Sequence, residues 1–142
     1  SGKKIAFLGW AFKKNTNDTR ESASIYVAES LIEDGAEIHV YDPKVSREKI
    51  KSDMRNLWEL KGINEDIITL KLTQINVYDE HFEAVKNSHA IAILTEWDEF
   101  KNYDWISIYK KMYKPAFLFD GRGILNIDKF KEIGFDLYSL GK

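Results

Sequence analysis

Short apolar runs alternate along this chain with stretches in which apolar residues recur at helical spacing, and few architectures accept that alternation. Strand-length runs interleaved with helical patterns specify βαβ units, whose strands pair in parallel. Lys4 to Gly9 reads as a buried first strand. Ile25, Ala28, Leu31 and Ile32 share one helical face, and Gly35 stops that helix in the position where a left-handed residue is commonly needed. Glu37 to Tyr41 is a second strand, ended by Asp42-Pro43. The pattern from Lys44 to Glu65 is weak, with a short helix expected over Arg47 to Asn56. Ile67 to Leu72 reads as a third strand, and Val77 to Val85 as a helix with Val77, Phe82 and Val85 turned inward. Ala90 to Leu94 is almost wholly apolar, as a strand at a sheet centre must be when both faces are covered. A helix at about Asp104 to Met112, a strand from Ala116 to Phe119, a helix at about Ile127 to Ile133 and a strand from Phe135 to Tyr138 complete the pattern. The expected fold is α/β: a doubly wound, mostly parallel sheet of about six strands with helices on both faces.

The connection after the first strand is longer than such a turn requires. Gly9-Trp10-Ala11-Phe12-Lys13-Lys14-Asn15-Thr16-Asn17-Asp18-Thr19-Arg20-Glu21-Ser22 joins a strand-ending glycine to a helix start and carries two lysines and an arginine. A tight turn, a mobile point charge, a planar guanidinium and free helix amides are the parts of a phosphate site. Asp18 and Glu21 have the spacing of an N-cap and its reciprocal partner. The dinucleotide fingerprint is not met, because no second or third glycine follows Gly9 at the required offsets, so a nicotinamide or flavin does not lie directly on this helix. Asp42 stands where a Rossmann protein keeps its ribose-binding carboxylate, but without the glycines it reads as a turn residue. Thr95-Glu96-Trp97 and Asp120-Gly121-Arg122-Gly123 follow two further strands at their carboxyl ends, where open α/β sheets place ligands. If strand order reverses next to the first strand, Lys13 and Arg122 face one crevice.

Other chemistries find little support. A net charge of -2 gives no general attraction to nucleic acid or to an anionic membrane, so anion recognition must be local. The four tryptophans are scattered rather than arranged as a stacking platform. No run is apolar enough to cross a bilayer and no secretory leader precedes the first strand, which points to the cytoplasm. The absence of cysteine excludes disulfides, zinc-thiolate sites and a cysteine nucleophile within these 142 residues. His39, His81 and His89 lack metal-ligand spacing. No metal site is expected. Length favours a single domain over residues 3–142, with Ser1-Gly2 read as an expression-tag remnant and the whole read as part of something larger.

The glycine-to-serine loop 9–22, Tyr41-Asp-Pro-Lys44, Thr95-Glu-Trp97 and Phe119-Asp-Gly-Arg122 together resemble, in order and over essentially the whole chain, the C-terminal, UDP-binding domain of the UDP-glucose 6-dehydrogenases, within the UDP-glucose/GDP-mannose dehydrogenase family. The segment between Asp42 and Val77 is similar to the eukaryotic rather than the compact bacterial forms. The resemblance implies a Rossmann-like fold and a full-length enzyme that oxidises UDP-glucose to UDP-glucuronate with two NAD. It also implies that the catalytic cysteine and the NAD-binding domain lie outside this chain, which by itself is inactive and contains no catalytic residue. By position, Phe12, Lys13 and Arg122 match residues that hold the UDP-sugar, and Arg20 matches an arginine that reaches the NAD of the other domain. The implied partners are UDP-glucose or UDP, the N-terminal domains of the same enzyme and further copies in a homo-oligomer, with no nucleic acid or membrane. Gly123 departs from the animal enzymes, which carry a second basic residue there. Two alternatives stay open: a related enzyme acting on GDP-mannose or UDP-N-acetylmannosamine, and a structural oligomerisation module whose basic loops are merely solvated.

Overall fold

A computed structural model describes residues 2–140, and Ser1 of the tag reading lies outside the described residues. Six strands pair in parallel throughout, in the order β3-β2-β1-β4-β5-β6. They are β1 (Lys4–Leu8), β2 (Glu37–Tyr41), β3 (Ile75–Val77), β4 (Ala90–Ile93), β5 (Phe117–Asp120) and β6 (Asp136–Ser139). The helices are α1 (Ala23–Glu33), α2 (Arg47–Leu60), α3 (Glu65–Leu72), α4 (His81–Val85), α5 (Trp105–Lys110) and α6 (Ile127–Ile133), with a 3-10 turn at Asp98–Asn102. Right-handed crossovers send the chain one way from β1 to β3 and the opposite way from β4 to β6, which puts the two sets of helices on opposite faces. This is the expected Rossmann-like α/β architecture, with every pair parallel.

Local chemistry explains most boundaries. Ser22, Ser46, Asn64, Asp104 and Asn126 each accept a backbone amide at a helix start, satisfying a donor that the helix itself cannot. After α1, Gly35 takes φ 89° and Ala36 donates back to the Leu31 carbonyl at 3.0 Å, closing the helix before β2 begins. The core runs between the layers through Phe7, Trp10, Ile38, Ile50, Trp58, Ile91, Phe100 and Phe130, all essentially inaccessible. Each such side chain contributes about 1.5–3 kcal/mol relative to an exposed one. On the second face, Trp105 meets Phe130 and Phe135 edge-on at 5.2 and 5.8 Å, which locks α5 to α6.

Four expectations need correction. Ile67 to Leu72 is not a strand but the body of α3, because Asn64 caps it at the Ile67 amide and only Ile68 is fully buried, as on one face of a helix. The third strand is the shorter Ile75–Val77, so Val77 belongs to the sheet and the following helix starts only at His81. Asp18 and Glu21 do not cap α1. Ser22 does, while Glu21 takes φ 62° as the chain turns into the helix. Arg47 opens a helix longer than expected, continuing to Leu60.

Candidate functional site

The strand order reverses between β1 and β4, the place where open α/β sheets bind ligands, and the loops leaving their carboxyl ends meet there. Gly9 begins the first loop with φ 103°, and a Cβ there would fall 2.4 Å from the Thr95 Cβ. Only glycine lets the β1 and β4 loops touch so closely. The contact is then fastened: Thr95 Oγ1 donates to the Ala11 carbonyl at 2.6 Å. Ser22 Oγ donates to the Trp10 carbonyl at 2.7 Å and Ser24 Oγ to the Gly9 carbonyl at 3.2 Å, so the start of α1 grips the same loop from the other side.

Asp42 sits at the centre of this arrangement. Its buried carboxylate accepts the Trp10 amide at 2.7 Å, the Ala11 amide at 3.0 Å and the Trp97 indole N–H at 3.2 Å. The other oxygen accepts the Lys44 and Val45 amides of its own turn at 2.8 and 3.2 Å. The turn expected at Asp42 is present, but the same side chain also ties the β1, β2 and β4 loops together. The donors from the β1 and β4 loops lie 31 to 55 residues away, beyond the reach of any local pattern. Trp10 is held further by its indole N–H donating to Asp53 on α2 at 3.0 Å.

Arg122 reaches this crevice from the β5 loop. Its Nη2 donates to the Phe12 carbonyl at 2.6 Å and its Nε to the Leu94 carbonyl at 3.0 Å, while Glu96 Oε1 lies 3.8 Å from Nη1. Asp120 does not take the guanidinium. It accepts the Arg122 and Leu125 backbone amides and so shapes the turn. Arg122 therefore meets the first loop at Phe12, the residue before Lys13. Lys13 is exposed beside Phe12, its Nζ 5.4 Å from that ring, and makes no ion pair among the described residues. Its neighbour Lys14 is bound to Asp98 at 3.2 Å. The arrangement offers one fixed guanidinium and one free ammonium on a single loop cluster, the chemistry of an anion clamp.

Arg20 stands apart from this pair. Its side chain is 85% exposed and pairs with Asp18 at 2.7 Å, and these hydrogen bonds hold the Asp18 carboxyl down to about 2. It opens on a separate cleft of about 680 Å3 shared with Lys44 and Lys49. The histidines are structural in setting: His39 lies between the Tyr78 hydroxyl at 2.7 Å and Glu37 at 3.2 Å, His89 Nδ1 accepts the Lys4 amide at 3.1 Å, and His81 stacks on Tyr103. Among the described residues no group of three His, Cys, Asp or Glu is placed to hold a metal ion, and no helix is long and apolar enough to cross a membrane.

Comparison with known proteins agrees with this layout. The profile of the UDP-glucose/GDP-mannose dehydrogenase family, UDP binding domain, matches residues 6–127. UDP-glucose 6-dehydrogenase 4 of Arabidopsis thaliana is 46% identical over 145 residues, spanning 100% of this chain and 30% of that protein. The UDP-glucose 6-dehydrogenase of Pongo abelii is 47% identical over 142 residues, spanning 99% of this chain and 28% of that protein. Among solved structures, the UDP-D-ManNAc dehydrogenase of Pyrococcus horikoshii superposes with a TM-score of 0.69 at 28% identity, over 99% of this chain and 26% of that one. The chain thus spans about 30% of the length of the curated relatives it matches. With the loops around Gly9, Asp42, Thr95 and Arg122 all inside the matched region, the chain belongs to the UDP-glucose/GDP-mannose dehydrogenase family, as its UDP-binding domain.

Proposed function

We propose that residues 3–142 form the UDP-binding domain of a cytoplasmic UDP-glucose 6-dehydrogenase, which in its full length oxidises UDP-glucose to UDP-glucuronate. The observation that carries this reading is the anchoring of Arg122 on the Phe12 carbonyl, which joins two distant loops into one anion clamp. In this reading Phe12 and Lys13 hold the UDP-sugar from the β1 loop, and Arg122 holds it from the β5 loop. Arg122 meets the anion already oriented, and Lys13 closes on it from solvent. The preference for UDP-glucose over the sugars of related enzymes is supported by identities near 46% with UDP-glucose 6-dehydrogenases from plants and an ape.

NAD, held mainly by polypeptide outside this chain, would supply the hydride acceptor for both oxidation steps. The residues here fit a supporting part only: the glycine fingerprint is absent, whereas Arg20 presents its guanidinium at the surface, paired there with Asp18. Arg20 would therefore meet the cofactor of the neighbouring domain. The cysteine nucleophile that the resemblance implies would also come from elsewhere, since this chain has no cysteine.

Calorimetric titration of the chain with UDP and with GDP tests the reading. Saturable binding that prefers UDP is expected. A preference for GDP would support a GDP-mannose enzyme, and no saturation at millimolar ligand would support a structural module. The same preparation, supplied with UDP-glucose and NAD, is expected to form no NADH, and measurable turnover would refute the claim that the chain is one part of the catalytic unit.

A further inference from the structure

Arg122 and Glu96 stand beside one another with no hydrogen bond between them. Two of the guanidinium nitrogens are taken, since Nη2 donates to the Phe12 carbonyl and Nε to the Leu94 carbonyl. Nη1 donates to no group among the described residues, and Glu96 Oε1 lies 3.8 Å from it, too far for a hydrogen bond. That oxygen is shut off from solvent and has no hydrogen-bond partner. Buried acceptors are nearly always satisfied, so an orphaned one calls for a functional account. Its position is fixed by the residues on either side. Thr95 Oγ1 donates to the Ala11 carbonyl at 2.6 Å and the Trp97 indole N–H to Asp42 at 3.2 Å, which tethers the backbone around Glu96. The other carboxylates of these loops are already engaged: Asp42 and Asp120 hold backbone amides, and Asp98 pairs with Lys14 at 3.2 Å.

Orienting the guanidinium does not require this carboxylate, because two carbonyl oxygens already hold it. What Glu96 adds is a negative charge at the one nitrogen left for a ligand. Such a charge opposes any anion that takes Nη1, and it opposes a doubly charged group more than a singly charged one. We infer that Glu96 is a specificity-determining residue of the clamp, favouring a diphosphate diester, as in a nucleotide sugar, over a diphosphate that ends in a free phosphate. The inference rests on the reading of the clamp as a UDP-sugar site. A phosphate monoester carries about −1.5 to −2 charges at neutral pH, whereas each phosphate of a diester carries a single charge. Specificity is a difference of affinities, and a repulsion felt unequally by two ligands separates them as a selective contact does. The side chains of Arg122 and Glu96 are 33% and 30% exposed, so water weakens the repulsion without removing it.

Calorimetric titration of the purified full-length enzyme with UDP and with UDP-glucose, at low ionic strength and without NAD, tests this in the parent, Glu96→Gln and Glu96→Ala. Both substitutions remove the charge, and the first keeps the shape of the side chain. The expected result is tighter binding in both variants, by about twofold to fivefold for UDP and by less for UDP-glucose. The ratio of the UDP Kd to the UDP-glucose Kd therefore falls, and the change shrinks as salt is added. Weaker binding of both ligands would overturn the inference and make Glu96 a positioning residue for Arg122. An equal gain for both ligands, or no change in either, would also overturn it, because the carboxylate would then not choose between them. A parent enzyme that binds neither ligand would refute the proposed function and this inference together. The other adverse results leave UDP binding in place and refute this inference alone.

Discussion

Replacing Asp42 by alanine is the sharpest perturbation this structure offers, because one side chain there answers five donors. Two of these, the Lys44 and Val45 amides, lie in its own turn, where the part-buried Lys44 amide can be answered by water. The Trp10 and Ala11 amides and the Trp97 indole N–H are buried, and Asp42→Ala strands all three. An orphaned buried donor costs about 1–3 kcal/mol, which sums to roughly 3–9 kcal/mol before any relaxation. Removing the carboxylate also relieves its own desolvation, and water can enter the gap, so the low end of about 3 kcal/mol is expected. For a chain of this size that corresponds to a melting temperature lower by about 10 °C. Equilibrium urea unfolding of parent and variant measures it, with an unchanged slope showing that the unfolded state is not at issue. UDP affinity should fall as well, because the loop carrying Phe12 and Lys13 is released. A loss below about 1 kcal/mol, with unaltered UDP binding, would refute the argument that Asp42 organises the crevice.

Lys13→Ala and Arg122→Ala should each weaken UDP binding by tenfold to a hundredfold, from the roughly 1.5–3 kcal/mol of a charged hydrogen bond. Only Arg122→Ala should also lower the melting temperature, since it alone frees the Phe12 and Leu94 carbonyls. Unchanged affinity in both variants would make the two cations ordinary surface charges. In the full-length enzyme Arg20→Ala should raise the KM for NAD more than that for UDP-glucose, and the opposite ranking in steady-state kinetics would move Arg20 to the substrate. Burial pushes His39 below its ordinary value of 6.5, so the folded state binds fewer protons there than the unfolded one. Stability from this site is complete above about pH 6.5 and declines as the pH falls, and the melting temperature should drop from pH 7.5 to pH 5.5 less steeply in His39→Gln than in the parent. An equal or steeper drop in the variant would exclude His39 as a source.

The sheet was readable wherever periodicity and burial agree. β1, β4 and β5 are nearly continuous apolar runs, β2 is bounded by the Gly35 and Asp42-Pro43 turns, and α1 shows its stripe plainly. The segment at Ile67 misled because its β-branched and leucine content mimics a strand, whereas most of it is solvent-facing and its state is set by the Asn64 cap. Of the site, the two basic loops could be found from their places after strands. Their meeting depends on strand order, a global property. The hub at Asp42 was hidden for the same reason: its own turn is local chemistry, but the three donors that make it central arrive through the β1 and β4 loops. Thr95 could be placed by its position after a strand, but its contact with the first loop could not, since that arises from the missing Cβ at Gly9.

The unequal tethering of the two cations has a thermodynamic consequence. Each long basic side chain carries about 2 kcal/mol of rotamer entropy. Arg122, clasped by two carbonyl oxygens, loses that freedom when the protein folds, whereas exposed Lys13 keeps it until an anion arrives. Folding therefore fixes the direction from which a phosphate is recognised, and ligand association must still restrain the ammonium that completes the grip.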